Sequence, residues 1–358
     1  MREQEIVMQA RLEKELKKIS VLDEDARKAC EVRWTHVAKP LNSLGKLETV
    51  TGQIAGIFGT SDIRLDKKAL VIMCADNGVV EEGVTQTGQE VTAIVAQNFL
   101  TGKTSAKLMA EQTGTKLFPI DIGMVSDTTI INRKIAYGTK NFTKEPAMTR
   151  AQAIRAMLVG IDFVEELAKE GYQIIATGEM GIGNTTTSSA IASVLLDVPV
   201  ELVTGKGAGL SLEGLRKKID AIHRGIACNQ PNKEDSIDVL AKLGGFDIAG
   251  LVGVFLGGAI HRIPIVIDGF ISSVAALVAS RIHPLASEYA IASHVSKEPA
   301  GKMILDSMKK EFFLNCDMCL GEGTGAVALM PLLDLALCVY QQMSTFDEIH
   351  VEEYQPLN

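Results

Sequence analysis

The chain has 358 residues, enough for about two domains of ordinary size, and 46% of them are apolar, enough for a large core. A formal net charge of -8 and an aromatic content of 5% argue against a nucleic-acid partner, because there is neither a basic footprint nor a set of stacking platforms. The N-terminus, MREQEIVMQARLEKELKK, is charged and lacks a signal-like apolar stretch, and no membrane-spanning run stands out, so a cytoplasmic protein with no membrane partner is expected.

Residues 5–38 have a helical pattern, with Ile6, Met8, Leu12, Leu16 and Ile19 near one face and Asp23 or Asp25 able to cap a second helix. A third helix is expected around Leu47–Phe58, after a turn at Pro40–Gly45. The run Ala69–Asp76 is almost wholly apolar, as suits a strand buried on both faces of a parallel sheet, and it ends in an Asp-Asn-Gly turn. A helix over Gln89–Leu100, strands over Lys116–Ile122, Gln173–Thr177 and Ile263–Ile267, and helices between them continue the alternation to about residue 284. That alternation predicts an α/β fold with a Rossmann-like parallel sheet flanked by helices. Asp76, Asp121, Glu179 and Asp268 fall at or just after strand ends, where ligands of such sheets bind and where turn chemistry also favours acids.

Three glycine-rich turns stand out. In Tyr172–Ile191, an apolar strand meets Gly178, Gly181 and Gly183, then Asn184 and Thr185–Thr187, which are helix-capping types. A strand, a glycine turn and a helix start together point bare N–H groups at one spot and favour an anion such as phosphate. The spacing is neither GxGxxG nor a GxxxxGK[ST] loop, and Glu179 would repel an anion, so it is expected to meet another part of the ligand. Val203–Gly209 is a second such turn, followed by a helix with Arg216, Lys217 and Lys218. In the third, Leu320–Ala326, Glu322 sits among three glycines at a helix start, where it is either a cap or a carboxylate tuned as a general base.

His294 has no second histidine three or four residues away and no GxSxG elbow, and reads as a hydrogen-bonding loop residue. The six cysteines are expected to be reduced, buried or partly buried thiols; Cys316-x-x-Cys319 lacks a second pair or histidines for zinc, so no metal is expected. Two other functions use similar building blocks. A dinucleotide-binding oxidoreductase is weakened by the missing GxGxxG; a non-catalytic nucleotide-binding subunit is weakened by the presence of Glu322.

Taken together, ADNGVVEEGV (75–84), GTKNFTKEPAMTRAQA (138–153), TGEMGIGNTTTSSA (177–190), PIVIDGFISS (264–273), SHVSKE (293–298) and LGEGTGAVALMP (320–331) resemble the CobT family. Its members are nicotinate-nucleotide:dimethylbenzimidazole phosphoribosyltransferases of cobamide synthesis. The resemblance implies a small helical domain built from residues 1–60 with the C-terminal helices, and an α/β phosphoribosyltransferase domain over 61–345. It implies transfer of the 5-phosphoribosyl group of nicotinate mononucleotide to a lower-ligand base, with release of nicotinate, formation of the α-riboside phosphate and no cofactor.

By the same resemblance Glu322 matches the catalytic base. Glu179, Met180, Gly181, Gly207, Lys218, Ser296, Thr87, Val95 and Leu320 match substrate-binding positions. Departures are Asn77 where a histidine is usual, Gly88 for a common proline, Val95 for a glutamine and Met180 for a leucine. The last two make the base pocket less polar or more pliable and resemble a branch that uses phenol or p-cresol. Members of that branch are heterodimers of two CobT-like chains, so either a homodimer or such a heterodimer is implied, with this chain the catalytic one.

Overall fold

A computed structural model describes residues 2–354. Six strands, β1 (Lys68–Ala75), β2 (Thr115–Gly123), β3 (Ile131–Asn132), β4 (Ile174–Met180), β5 (Ile265–Ile267) and β6 (Ala290–Ala292), form one sheet. Every pairing is parallel, in the order β3-β2-β1-β4-β5-β6. All eight residues of β1 are buried, which is why its sequence is a continuous apolar run. Alternation along β1 feeds two cores. Ala69, Val71 and Met73 pack on one face with helices Arg150–Lys169, Phe246–His261 and Phe270–Ile282. Leu70, Ile72 and Cys74 pack on the other with Lys46–Phe58, Glu90–Thr101 and Thr324–Gln342.

The doubly wound order places the switch point between β1 and β4, and open α/β sheets bind ligands in the crevice beyond it. Short strands β3 and β6 extend the sheet at each edge beyond the four expected from the sequence. On one face, helix Phe246–His261 crosses Arg150–Lys169 with almost no gap: a Cβ on Gly253 would collide with the Met157 carbonyl, and one on Gly160 with that of Gly250.

At the N-terminal end, Asp23 rather than Asp25 caps helix Glu24–His36, accepting from the Ala26 N–H at 2.8 Å. Helix Arg2–Leu16 packs against Arg150–Lys169 and Phe246–His261, while Lys46–Phe58 packs against Thr324–Gln342. Contrary to the reading that no run could span a membrane, Thr324–Gln342 has the length and hydropathy to do so; 56% of its most apolar stretch is buried in the protein, where it packs against Lys46–Phe58, Ser105–Gln112 and β4. The cysteines also differ from expectation: Cys30 and Cys74 are buried, but Cys228, Cys316, Cys319 and Cys338 are exposed.

Candidate active site

A cavity of about 370 Å³ opens at the carboxyl ends of β4 and β5. Its walls include all three glycine turns, at Met180–Thr185, Lys206–Ala208 and Leu320–Glu322, together with Thr87, Asp268, His294, Ser296 and Glu298. Eight of the ten residues singled out by resemblance line it: Thr87, Glu179, Met180, Gly181, Gly207, Ser296, Leu320 and Glu322. A larger open hollow of about 670 Å³ lies elsewhere, between Arg33, Asp62, Arg64 and Asp334, and has none of these residues in its wall.

The remaining two residues differ from the eight. Lys218 is 1% exposed and lies behind the second turn, its Nζ donating to Thr185 Oγ1 at 2.8 Å and to the Gly205 carbonyl at 3.1 Å. Burial lowers its pKa to about 8, with Glu298 opposing the shift. Arg216 and Lys217, on the same helix, point to solvent. Val95 does not line the cavity; it sits on Glu90–Thr101, half-buried in the second core that also holds Met180 and Ile182. The expectation that Asn184 caps its helix is also corrected. Gly183, with φ of 95°, is the N-cap, and Asn184 turns its amide inward to donate to Glu179 Oε2 and, at 3.0 Å, to Asp247 Oδ2.

Those bonds explain the acid beside an anion site. Glu179 is 7% exposed; burial first, then the Asp247 charge, lift its pKa to about 8, so at neutral pH it is uncharged and repels nothing. Asp247, fully buried, is lifted to about 6 by burial. Asp76 and Asp121 serve the fold instead. Asp76 Oδ2 accepts from the Val125 N–H at 2.8 Å, and Asp121 takes the N–H groups of Gly123 and Met124 and pairs with Lys134 at 3.2 Å. Asn77 is 0% exposed and, among the described residues, neither atom of its amide has a partner.

Glu322 stands on a strained turn. Gly321, Glu322 and Gly323 all have left-handed backbone, with φ of 86°, 60° and 86°. Glycine accepts this freely, but a side chain there costs about 1–2 kcal/mol. Thr324 closes the turn, its N–H and hydroxyl both donating to the Gly321 carbonyl. The turn rests on β4 at Gly178, where any Cβ would stand 2.7 Å from the Glu322 carbonyl oxygen. Glu322 Oε2 is buried with no partner among the described residues; burial raises the pKa of the carboxyl, the nearby Ala106 N–H opposes the shift, and the Asp268 charge adds to it. It therefore does not act as a helix cap.

Asp268, one of the strand-end acids expected near a ligand, and His294, expected only as a loop residue, both line the cavity. Asp268, at the end of β5, accepts from the backbone of the Glu322 turn and the helix that follows. The Ser293 hydroxyl spends its one proton on the Ile267 carbonyl at 2.6 Å, so it accepts from His294 Nδ1–H at 3.1 Å. Burial lowers the pKa of the ring, the Asp268 charge opposes the shift, and the ring stands on the cavity wall. In the sequence His294 reads as an ordinary loop residue because the elements that converge on it lie far apart along the chain.

Glycine amides, a buried lysine and a carboxyl at the carboxyl ends of a parallel sheet fit the class of α/β enzymes that bind phosphorylated substrates. Comparison with known proteins narrows this. A family model described as phosphoribosyltransferase (DBI_PRT) matches residues 19–351. The chain is 48% identical over 349 residues to the nicotinate-nucleotide--dimethylbenzimidazole phosphoribosyltransferase of Clostridium acetobutylicum, covering 97% of this chain and 99% of that one. It is 47% identical over 344 residues to the protein of the same name from Acetivibrio thermocellus, covering 95% and 98%. The crystal structure of CobT from Thermus thermophilus superposes with a TM-score of 0.87 at 35% identity, covering 92% of this chain and 100% of that one. The chain belongs to this phosphoribosyltransferase family, the CobT family, and is a pentosyl-transferring enzyme.

Proposed function

We propose that the enzyme moves the 5-phosphoribosyl group of nicotinate mononucleotide onto dimethylbenzimidazole, with phenol and p-cresol as further acceptors. The observation that carries the reading is Glu322: a cavity-wall carboxyl with one oxygen buried and unpartnered, held within glycine-flanked backbone. A nitrogen of dimethylbenzimidazole, or the oxygen of a phenol, attacks the anomeric carbon, and the bond to nicotinate breaks with its electron pair going to the ring nitrogen. That nitrogen is cationic in the nucleotide, so nicotinate leaves without a proton. The acceptor's remaining N–H, or the O–H of a phenol, is the proton that must be removed, and Glu322 takes it.

Other residues fit the remaining parts of the substrates. The amides of the second turn, backed by Lys218, suit the phosphate dianion. Neutral Glu179 suits the nicotinate and ribose, as a donor rather than a repelling charge. Met180, Ile182, Val84 and Leu320 give the acceptor an apolar wall. The phenolic extension rests on Met180, a pliable thioether in that wall. We extend the reading to a dimer, either of identical chains or with a sister chain of the family; sedimentation of the purified chain distinguishes them.

The test is mass balance. With nicotinate mononucleotide and dimethylbenzimidazole, nicotinate and the riboside phosphate appear in equal amounts by chromatography. Absence of both products, or turnover of a nicotinamide dinucleotide by hydride transfer instead, overturns the reading.

A further inference from the structure

Asp268 lies 54 residues before Glu322 in the sequence and reaches the cavity from a different strand, yet its carboxylate is almost entirely committed to the backbone around that glutamate. Its Oδ2 accepts from the Gly323 N–H at 3.1 Å, and its Oδ1 accepts from Gly325 at 2.7 Å and Ala326 at 3.0 Å. The helix Thr324–Gln342 has no side-chain cap of its own, since its N-cap is Gly323. Asp268 supplies that cap from across the sheet. It is 2% exposed and is itself fixed, its own N–H donating to Ser272 Oγ at 3.2 Å. Gly325 has no room for a Cβ, which would meet His294 and stand 3.0 Å from Asp268 Oδ1, so the helix start and the carboxylate are in direct contact.

One charge-assisted bond thus acts on the turn at Gly323 and two on the helix start directly after it, next to a residue 322 whose backbone is left-handed. We propose that Asp268 is the positioning residue for Glu322, holding Gly321–Gly323 in the left-handed conformation that keeps the glutamate in the cavity wall. The inference rests on Glu322 being the base. Asp268 also carries charge toward Glu322. The titratable groups acting on this pair are Glu179 on β4, itself backed by Asp247 at the start of Phe246–His261, and His294 after β6. Burial and the Asp268 charge both raise Glu322, so loss of that charge moves its pKa down.

The test is a double-mutant cycle with full-length enzyme. In Asp268→Asn one oxygen still accepts from Gly325 and Ala326, but the amide nitrogen has nothing to offer the Gly323 N–H, and the charge is gone. We expect kcat to fall about 30- to 100-fold, as for a displaced catalytic group, with KM for nicotinate mononucleotide within about threefold. The acid limb of the kcat–pH profile moves to lower pH. In a Glu322→Gln background the same substitution changes the residual rate by less than about twofold, because there is no base left to position. If Asp268→Asn does not purify folded, Asp268→Ser enters the same cycle. Unchanged kcat, an equal loss in both backgrounds, or an effect confined to KM overturns the inference. Full activity in Glu322→Gln alone overturns the base assignment instead, so the two failures are distinguishable.

Discussion

Gly178 is the point where β4 supports the Glu322 turn, and replacing it with alanine perturbs the site without touching a functional side chain. The new Cβ would stand 2.7 Å from the Glu322 carbonyl oxygen, 2.8 Å from its carbon and 2.9 Å from the Gly323 nitrogen. Ordinary contact begins at 3.4 Å, so something must yield by about 0.7 Å. Strand β4 is paired on both sides, to β1 and β5, whereas the turn faces the cavity; the turn is what moves. Overpacking of this kind costs about 1–3 kcal/mol of stability. A shift of most of an ångström at a group that must meet a moving proton costs up to about 10²-fold in rate. The assay is steady-state nicotinate release for Gly178→Ala, beside calorimetric binding of nicotinate mononucleotide and a thermal melt. The expected result is kcat down about 10- to 100-fold, nucleotide Kd within about threefold, and a lowered Tm. A lowered Tm with kcat within about twofold of the parent refutes the reasoning, because the turn would then have moved without consequence.

Lys218 has a pKa near 8 in the folded protein, so nucleotide affinity is expected to fall as pH rises through that value, with proton uptake on binding seen as buffer-dependent heats above it. Lys218→Met should abolish the uptake and weaken nucleotide binding by about 1.5–3 kcal/mol; uptake that survives points elsewhere. Glu179 is raised from 4.5 to about 8 in the folded state, so it contributes stability that is full below about pH 4.5 and is lost as pH rises through about 8. Melts of Glu179→Gln across that window should show a flatter pH dependence than the parent, and parallel curves count against a protonated Glu179. Met180 lines the cavity and Val95 does not, so Met180→Leu should change the ratio of initial rates with phenol and dimethylbenzimidazole more than Val95→Gln does. No nicotinate release with phenol by the parent enzyme, even with a sister chain supplied, removes the phenolic extension.

The sequence carries the central strands plainly, because β1 and β4 are buried on both faces and read as apolar runs. It carries β3 and β6 poorly, since these are two and three residues long and lack the Asp-Gly turn that marks the end of the equally short β5. The glycine turns are visible as composition, and their convergence on one cavity follows from strand order. What is not legible is the partner of each polar side chain. Asn184 looks like a cap by residue type, yet it spends its amide on Glu179 and Asp247, contacts made by tertiary packing. Asp268 looks like turn chemistry and is in fact a cap for a helix more than fifty residues away. Glu179 looks incompatible with phosphate until its burial is known, because charge state depends on surroundings as well as residue type. Val95 is singled out by its correspondence to a pocket position, and only three-dimensional placement shows that the helix holding it turns this side chain into the core.

The central claim is that Glu322 removes the acceptor's proton during phosphoribosyl transfer. Its most direct measurement is the initial rate of nicotinate release by Glu322→Gln with saturating nicotinate mononucleotide and dimethylbenzimidazole, with nucleotide Kd measured on the same preparation. The rate is expected at least about 100-fold below the parent and the Kd within about threefold, since the substitution removes the base and leaves the phosphate and ribose contacts in place. A rate close to the parent's, with the fold intact, would contradict it.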